Sequence, residues 1–111
     1  MDRRAFLAHV RRTHFAPGDR QTALADARRI ARFFQQRGAI RVVGIGSVFA
    51  LNRRFTTRSD IDLAVEGFPA ERFFRASAQA AEMTAFELDV VPLESATDYI
   101  RQAVRDEGVD L

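Results

Sequence analysis

From Asp60 to Val65 the chain reads Asp-Ile-Asp-Leu-Ala-Val, with acidic and large apolar residues in strict alternation over the first four positions. A period of two belongs to a β-strand, whose successive side chains leave on opposite faces. Ile61, Leu63 and Val65 are thereby committed to a core, and Asp60 and Asp62 share the other face. Two carboxylates so placed raise each other's pKa and weaken the fold unless something positive sits between them. A second run repeats the logic: Phe86, Leu88 and Val90 alternate with Glu87, Asp89 and Val91. If the two strands are neighbours, three Asp side chains meet, and a divalent cation is the economical counter-charge.

The remaining elements follow from periodicity and breakers. Phe6, Leu7 and Val10 form a short apolar stripe before Pro17-Gly18. Asp19 can cap a second helix, which carries Leu24, Ala27, Ile30, Ala31 and Phe34 at spacings of three and four and stops at Gly38. Ile40–Ile45 reads as a buried strand running into a Gly46-Ser47 turn, and the polar loop Asn52–Ser59 leads to the Asp-bearing strand. Gly67-Phe68-Pro69 closes that strand, and Pro69–Met83 has a helical composition. The third strand ends before Pro92; a last helix, capped by Ser95, turns Tyr99, Ile100, Ala103 and Val104 inward and ends at Gly108. The predicted order is α-α-β-β-α-β-α, an α/β fold with a small mixed sheet of about three core strands flanked by helices. One domain over residues 1–111 is expected, with a helical N-terminal segment over 1–38 and no internal repeat or linker.

Composition narrows the chemistry. With no Cys there are no disulfides, thiolate nucleophiles or Cys-bearing zinc sites, and His9 and His14 are too few and too far apart for an all-His centre. All 17 basic residues are Arg, which excludes a Schiff-base lysine and a P-loop lysine. The net charge of +2 hides a division, +10 over Met1–Arg58 and −8 over Ser59–Leu111. Such a division favours a protein partner; no basic patch interleaved with aromatics points to nucleic acid. No apolar stretch approaches the ~20 residues of a membrane span, and the apolar run at the N-terminus is too short for a secretion signal, so a cytoplasmic location is expected. Phe33-Phe34 and Phe73-Phe74 are adjacent pairs that one helix stripe cannot fully bury. Phe34 and Phe73 are expected inside, with Phe33 and Phe74 as candidates for contact with a partner helix or a second copy of the chain.

Carboxylate oxygens suit Mg²⁺, which binds one or two protein carboxylates together with substrate phosphates. Ahead of them, Gly46 and Ser47 offer a turn without a side chain and a hydroxyl where a phosphate can approach, and Arg53, Arg54 and Arg58 lie in the intervening loop. Taken together, Gly46-Ser47, then Ser59-Asp60-Ile61-Asp62-Leu63, then Leu88-Asp89-Val90-Val91 resembles the nucleotidyltransferase superfamily of the DNA polymerase β type. The small size, the run from Arg58 to Val65 and the ending Glu107-Gly108-Val109 resemble its minimal nucleotidyltransferase (MNT) branch. The likeness covers roughly Ile40 to Leu111, and the preceding helix fits it.

The resemblance implies a nucleotidyltransferase fold with Asp60, Asp62 and Asp89 as Mg²⁺ ligands and catalytic residues. It places Gly46 and Ser47 on the triphosphate of ATP, with Arg53, Arg54, Arg58 and Ser59 completing the nucleotide-binding set. The implied chemistry moves AMP from ATP to a hydroxyl that Asp89 activates. Stand-alone MNT proteins are commonly antitoxins bound to an all-helical HEPN ribonuclease toxin, and some silence it by adding AMP to a toxin tyrosine. The chain departs from the pattern in having no second Gly after Gly46-Ser47 and a longer loop before Asp60. An antitoxin that neutralises its toxin by binding alone is therefore the competing expectation.

Overall fold

The computed structural model describes residues 19–50, 52–53, 55 and 60–111; the first predicted helix, His9 and His14 lie outside the described residues. Helix α1 (Asp19–Gln36) buries Ala27, Ile30, Ala31 and Phe34 of the expected stripe, together with Ala23 and Asp26, while Leu24, expected on that stripe, is half-buried. Asp19 is its first helical residue. Gly38, at φ +115°, ends it in the left-handed turn that glycine adopts without a Cβ penalty. Strand β1 (Arg41–Ile45) pairs antiparallel with β2 (Ile61–Glu66), and helix α2 (Ala70–Ala81) carries the chain over to β3 (Leu88–Pro92), parallel to β2. A parallel pair needs such a crossover, since no tight turn can return the chain to the same end of the sheet. A short 3₁₀ turn (Leu93–Ser95), helix α3 (Asp98–Glu107) and β4 (Val109–Asp110) complete the order, and the sheet runs β3-β2-β1-β4.

The sheet separates two apolar layers. Ile61, Leu63 and Val65 pack with Val42 against α1 and α2, whereas Val43, Ile45 and Ala64 face Val104 of α3. The alternation in β2 is thus used on both sides: its odd positions build the main core and its even positions, Asp62 and Ala64, look toward α3.

Several expectations are corrected. Among the described residues the sheet has four strands rather than about three. Strand β4 consists of two exposed residues, too few to carry a period, and is held by pairing to Val43 and Gly44 and by the Arg41–Asp110 ion pair at 2.8 Å. The last helix is capped by Thr97, whose hydroxyl accepts the Ile100 N–H, and not by Ser95, which the 3₁₀ turn occupies. Strand β3 starts at Leu88 and includes Pro92, tolerated because β3 is an edge strand. Phe86 sits before it, buried beside Thr84. Ile40, expected in a buried strand, is 75% exposed, and Tyr99, expected inside, is 81% exposed. Helix α3 has only its Ile100, Ala103 and Val104 side on the sheet. Of the Phe pairs, Phe34 is fully buried, Phe33 and Phe73 are half-buried and Phe74 is exposed. Among the described residues no helix is long and apolar enough to cross a membrane.

One buried polar contact ties α1 to the turn after α2. The Asp26 carboxylate, nearly buried, accepts the Thr84 hydroxyl at 2.7 Å and the Arg29 guanidinium at 2.6 Å, while the Thr84 oxygen accepts the Phe86 N–H. Asp26→Ala leaves two donors without their acceptor and is expected to cost about 2–3 kcal/mol in urea unfolding. Asp26→Asn keeps an acceptor for Thr84 and is expected to lose less.

Candidate active site

Strand register, not sequence proximity, assembles the carboxylates. In the parallel β2–β3 pair Asp62 stands opposite Asp89, and in the antiparallel β1–β2 pair Asp62 stands opposite Ile45. Residues paired in register share a face, about 4.8 Å apart across the ladder. Asp60 immediately precedes β2, two residues from Asp62, so strand period brings it to the same side. Asp62 is half-buried and Asp89 is exposed at the edge. Burial, then the charges of Asp60 and Asp89, push the Asp62 carboxyl up to about 6.

Gly46 arches over this group. It follows β1 at φ +92°, and a Cβ placed on it would lie 3.1 Å from Asp62 Oδ2. Any other residue would be strained there and would crowd the carboxylate. The chain then turns tightly: the Gly46 carbonyl accepts the N–H groups of both Phe49 and Ala50 at 3.1 Å, and Val48 and Phe49 plunge into the main core. A hollow of about 210 Å³ opens beside Gly46, Asp62 and Asp89, bounded by Arg53, Glu107 and Tyr99. Across it the Arg53 guanidinium donates to Glu107 at 3.0 Å.

Of the predicted site residues, Gly46, Arg53, Asp62 and Asp89 line one hollow, Asp60 acts on Asp62 through its charge, and Ser47 sits in the turn behind Gly46. Arg54, Arg58 and Ser59 lie outside the described residues. Sequence reasoning missed Glu107 and Tyr99 as site residues. The Glu107-Gly108 dipeptide is the one signal that could have found the first, because Gly108 lets the chain leave α3 close against Val43: a Cβ there would lie 2.6 Å from Val43 Cγ1. Among the described residues no three His, Cys, Asp or Glu side chains are gathered closely enough to hold a metal ion together. The donor set is nevertheless of the hard-oxygen type, and its central member is held short of easy ionisation by burial and then by two like charges, the second of which a bound cation relieves.

A pH dependence follows. Raised from 3.8 to about 6 in the fold, the Asp62 carboxyl favours the native state while it is protonated. The folded chain binds more protons than the unfolded one between those values, so stability of the metal-free protein is expected to fall as pH rises through that window, and Asp62→Asn to flatten the change. Solvent screening of a half-buried group reduces the effect to on the order of 1 kcal/mol, measurable by urea unfolding at a series of pH values.

The chain matches no family model and none of the curated proteins. Solved structures do resemble it. A protein assigned as a minimal nucleotidyltransferase superposes with a TM-score of 0.66 at 22% identity, covering 83% of this chain and 95% of that one. A chain of a toxin–antitoxin complex with AMP-PNP gives 0.61 at 20% identity, over 76% of this chain and 70% of that one. A chain of the tri-AMPylated Shewanella oneidensis HEPN toxin in complex with MNT antitoxin gives 0.59 at 19% identity, over 79% and 70%. The fold is thus that of the minimal nucleotidyltransferases. Two of these three neighbours come from toxin–antitoxin complexes.

Proposed function

We propose that this chain is a Mg²⁺-dependent nucleotidyltransferase that transfers AMP from ATP to a hydroxyl of a helical HEPN-type toxin, most simply a tyrosine, and so serves as its antitoxin. The observation that carries the reading is the Asp62–Asp89 register pair with Asp60 on the same face, roofed by a glycine. The likeness to chains crystallised with AMP-PNP and with an AMPylated toxin supports it.

In the proposed reaction the acceptor oxygen forms a bond to the α-phosphorus, the bond from that phosphorus to the β-phosphate oxygen breaks, and pyrophosphate leaves. Asp60, Asp62 and Asp89 are the residues that would hold Mg²⁺, with oxygens of the triphosphate completing its ligands, and the ion would supply positive charge against the phosphates. Asp89, exposed at the sheet edge, would take the proton of the incoming hydroxyl. Gly46 admits the phosphates where a side chain would block them, and Arg53 can exchange Glu107 for a phosphate oxygen.

A second reading, an antitoxin acting by contact alone, is favoured by the turn after Gly46, whose Phe49 and Ala50 N–H groups are already engaged by the Gly46 carbonyl. Intact-mass measurement of the toxin after incubation with this chain, ATP and Mg²⁺ separates the two. A toxin heavier by one or more AMP groups supports transfer; a toxin silenced at unchanged mass supports contact alone.

A further inference from the structure

At the opposite end of the sheet from the three Asp residues, beyond the C-terminal ends of β2 and β3, an apolar hollow of about 610 Å³ opens between Phe68, Ala70 and Phe73 on one side and Pro92 on the other. Phe74 stands at its rim, 88% exposed. Edge-on aromatic contacts lead to it from the core: Phe34 to Phe68 at 5.3 Å, Phe68 to Phe73 at 6.4 Å, Phe73 to Phe74 at 6.5 Å. The inner members of that series are explained by packing. Phe74, left in water beside an apolar hollow, is not.

The charges of α2 say what covers it. At 100° per residue, Glu71, Phe74, Arg75 and Ala78 share the outward side of α2, with Ala76 and Ala80 buried on the other. Among the described residues neither Glu71 nor Arg75 forms an ion pair. One surface therefore carries a protruding ring, a hollow to receive one, and unpaired charges of both signs a single turn apart. Those are both halves of a self-complementary contact, in which every feature of one copy meets its counterpart on a second.

We propose that this face is the surface through which two copies of the chain associate, with their α2 helices antiparallel about a two-fold axis at the level of Phe73. That axis sets Glu71, two residues before it, against Arg75, two residues after it, in the other copy, and the same pair forms twice. It also brings Phe74 to the level between Ala70 and Phe74 of the other copy, where the hollow opens. A polyanionic partner would meet Glu71 and Glu94, and a polycationic one Arg72 and Arg75; a second copy satisfies both signs. The strand starts that bear Asp62 and Asp89 point away from the axis, so both nucleotide sites remain open. The dimer does not depend on what those sites bind.

Sedimentation velocity of the full chain from micromolar to submillimolar concentration tests this. The wild type is expected to be a reversible dimer, and Phe74→Ser to weaken association at least about tenfold, as for an aromatic anchor at the centre of an interface. Glu71→Arg and Arg75→Glu are each expected to weaken it, and the two together to restore it to within a few-fold of wild type, because the antiparallel contact sets each reversed charge against its reversed counterpart in the other copy. All these side chains are exposed, and unchanged circular dichroism melts will show that the variants fold. A wild type that stays monomeric throughout, single variants without effect, or a double variant that fails to restore the dimer would each overturn the proposal.

Discussion

Asp62→Asn is expected to lower AMP transfer to the toxin by about three orders of magnitude or more while leaving the chain folded. Asp62 is the centre of the proposed site by every geometric measure: it faces Asp89 across the ladder, lies under Gly46, and feels both other carboxylates. The amide has almost the same shape and removes one negative charge from a crowded group. Stability of the metal-free protein should therefore rise slightly above pH 6, not fall. Loss of function together with gain of stability is the signature of a residue kept for its chemistry; a structural role for Asp62 would lower both. Transfer is scored by intact mass of the toxin and stability by urea unfolding of the same preparations.

Gly44→Ala is expected to destabilise the fold by about 3 kcal/mol, although it adds one methyl group to a strand. Gly44 lies in β1 opposite Leu63, and a Cβ on it would fall 2.4–2.6 Å from three carbons of the Phe49 ring. That ring is buried in the main core and cannot swing aside without opening a cavity. The Gly44–Phe49 contact also holds the turn that places Gly46 over Asp62, so nucleotide affinity should fall with stability. Phe49→Ala is expected to be destabilising alone, and the double variant to lose less than the two single losses added, because the clash disappears with the ring. Equal additive losses in urea unfolding would show that the contact is not what makes Gly44 necessary.

The legible part of this molecule is the part encoded locally. Alternation placed Asp60 and Asp62 on the far side of β2 from Ile61 and Leu63, and the helix stripe of α1 identified Ala27, Ile30, Ala31 and Phe34 among its buried residues. The meeting of Asp89 with Asp62 was conditional on strand order, which alternation does not encode; it took the crossover helix and the resulting parallel register to settle it. The Asp26–Thr84 contact joins residues 58 apart, and the Arg53–Glu107 pair residues 54 apart, so neither leaves a local pattern. Tyr99 misled because the periodicity of a short helix marks a side, not its limits: Ile100 and Ala103 pack on the sheet while Tyr99, just beyond their stripe, borders the hollow from solvent. Strand β4 was invisible because pairing to β1, rather than its own two side chains, makes it a strand.

Calorimetric titration of ATP into the wild type and into Asp62→Asn, each with and without Mg²⁺, tests the central claim most directly and needs no partner. The account predicts binding by the wild type only with Mg²⁺ present, weakening as pH falls through about 6 as Asp62 takes up its proton, and no binding by the variant. Binding that persists unchanged without Mg²⁺ or in Asp62→Asn, or a folded wild type that binds no ATP at millimolar concentration, would contradict it.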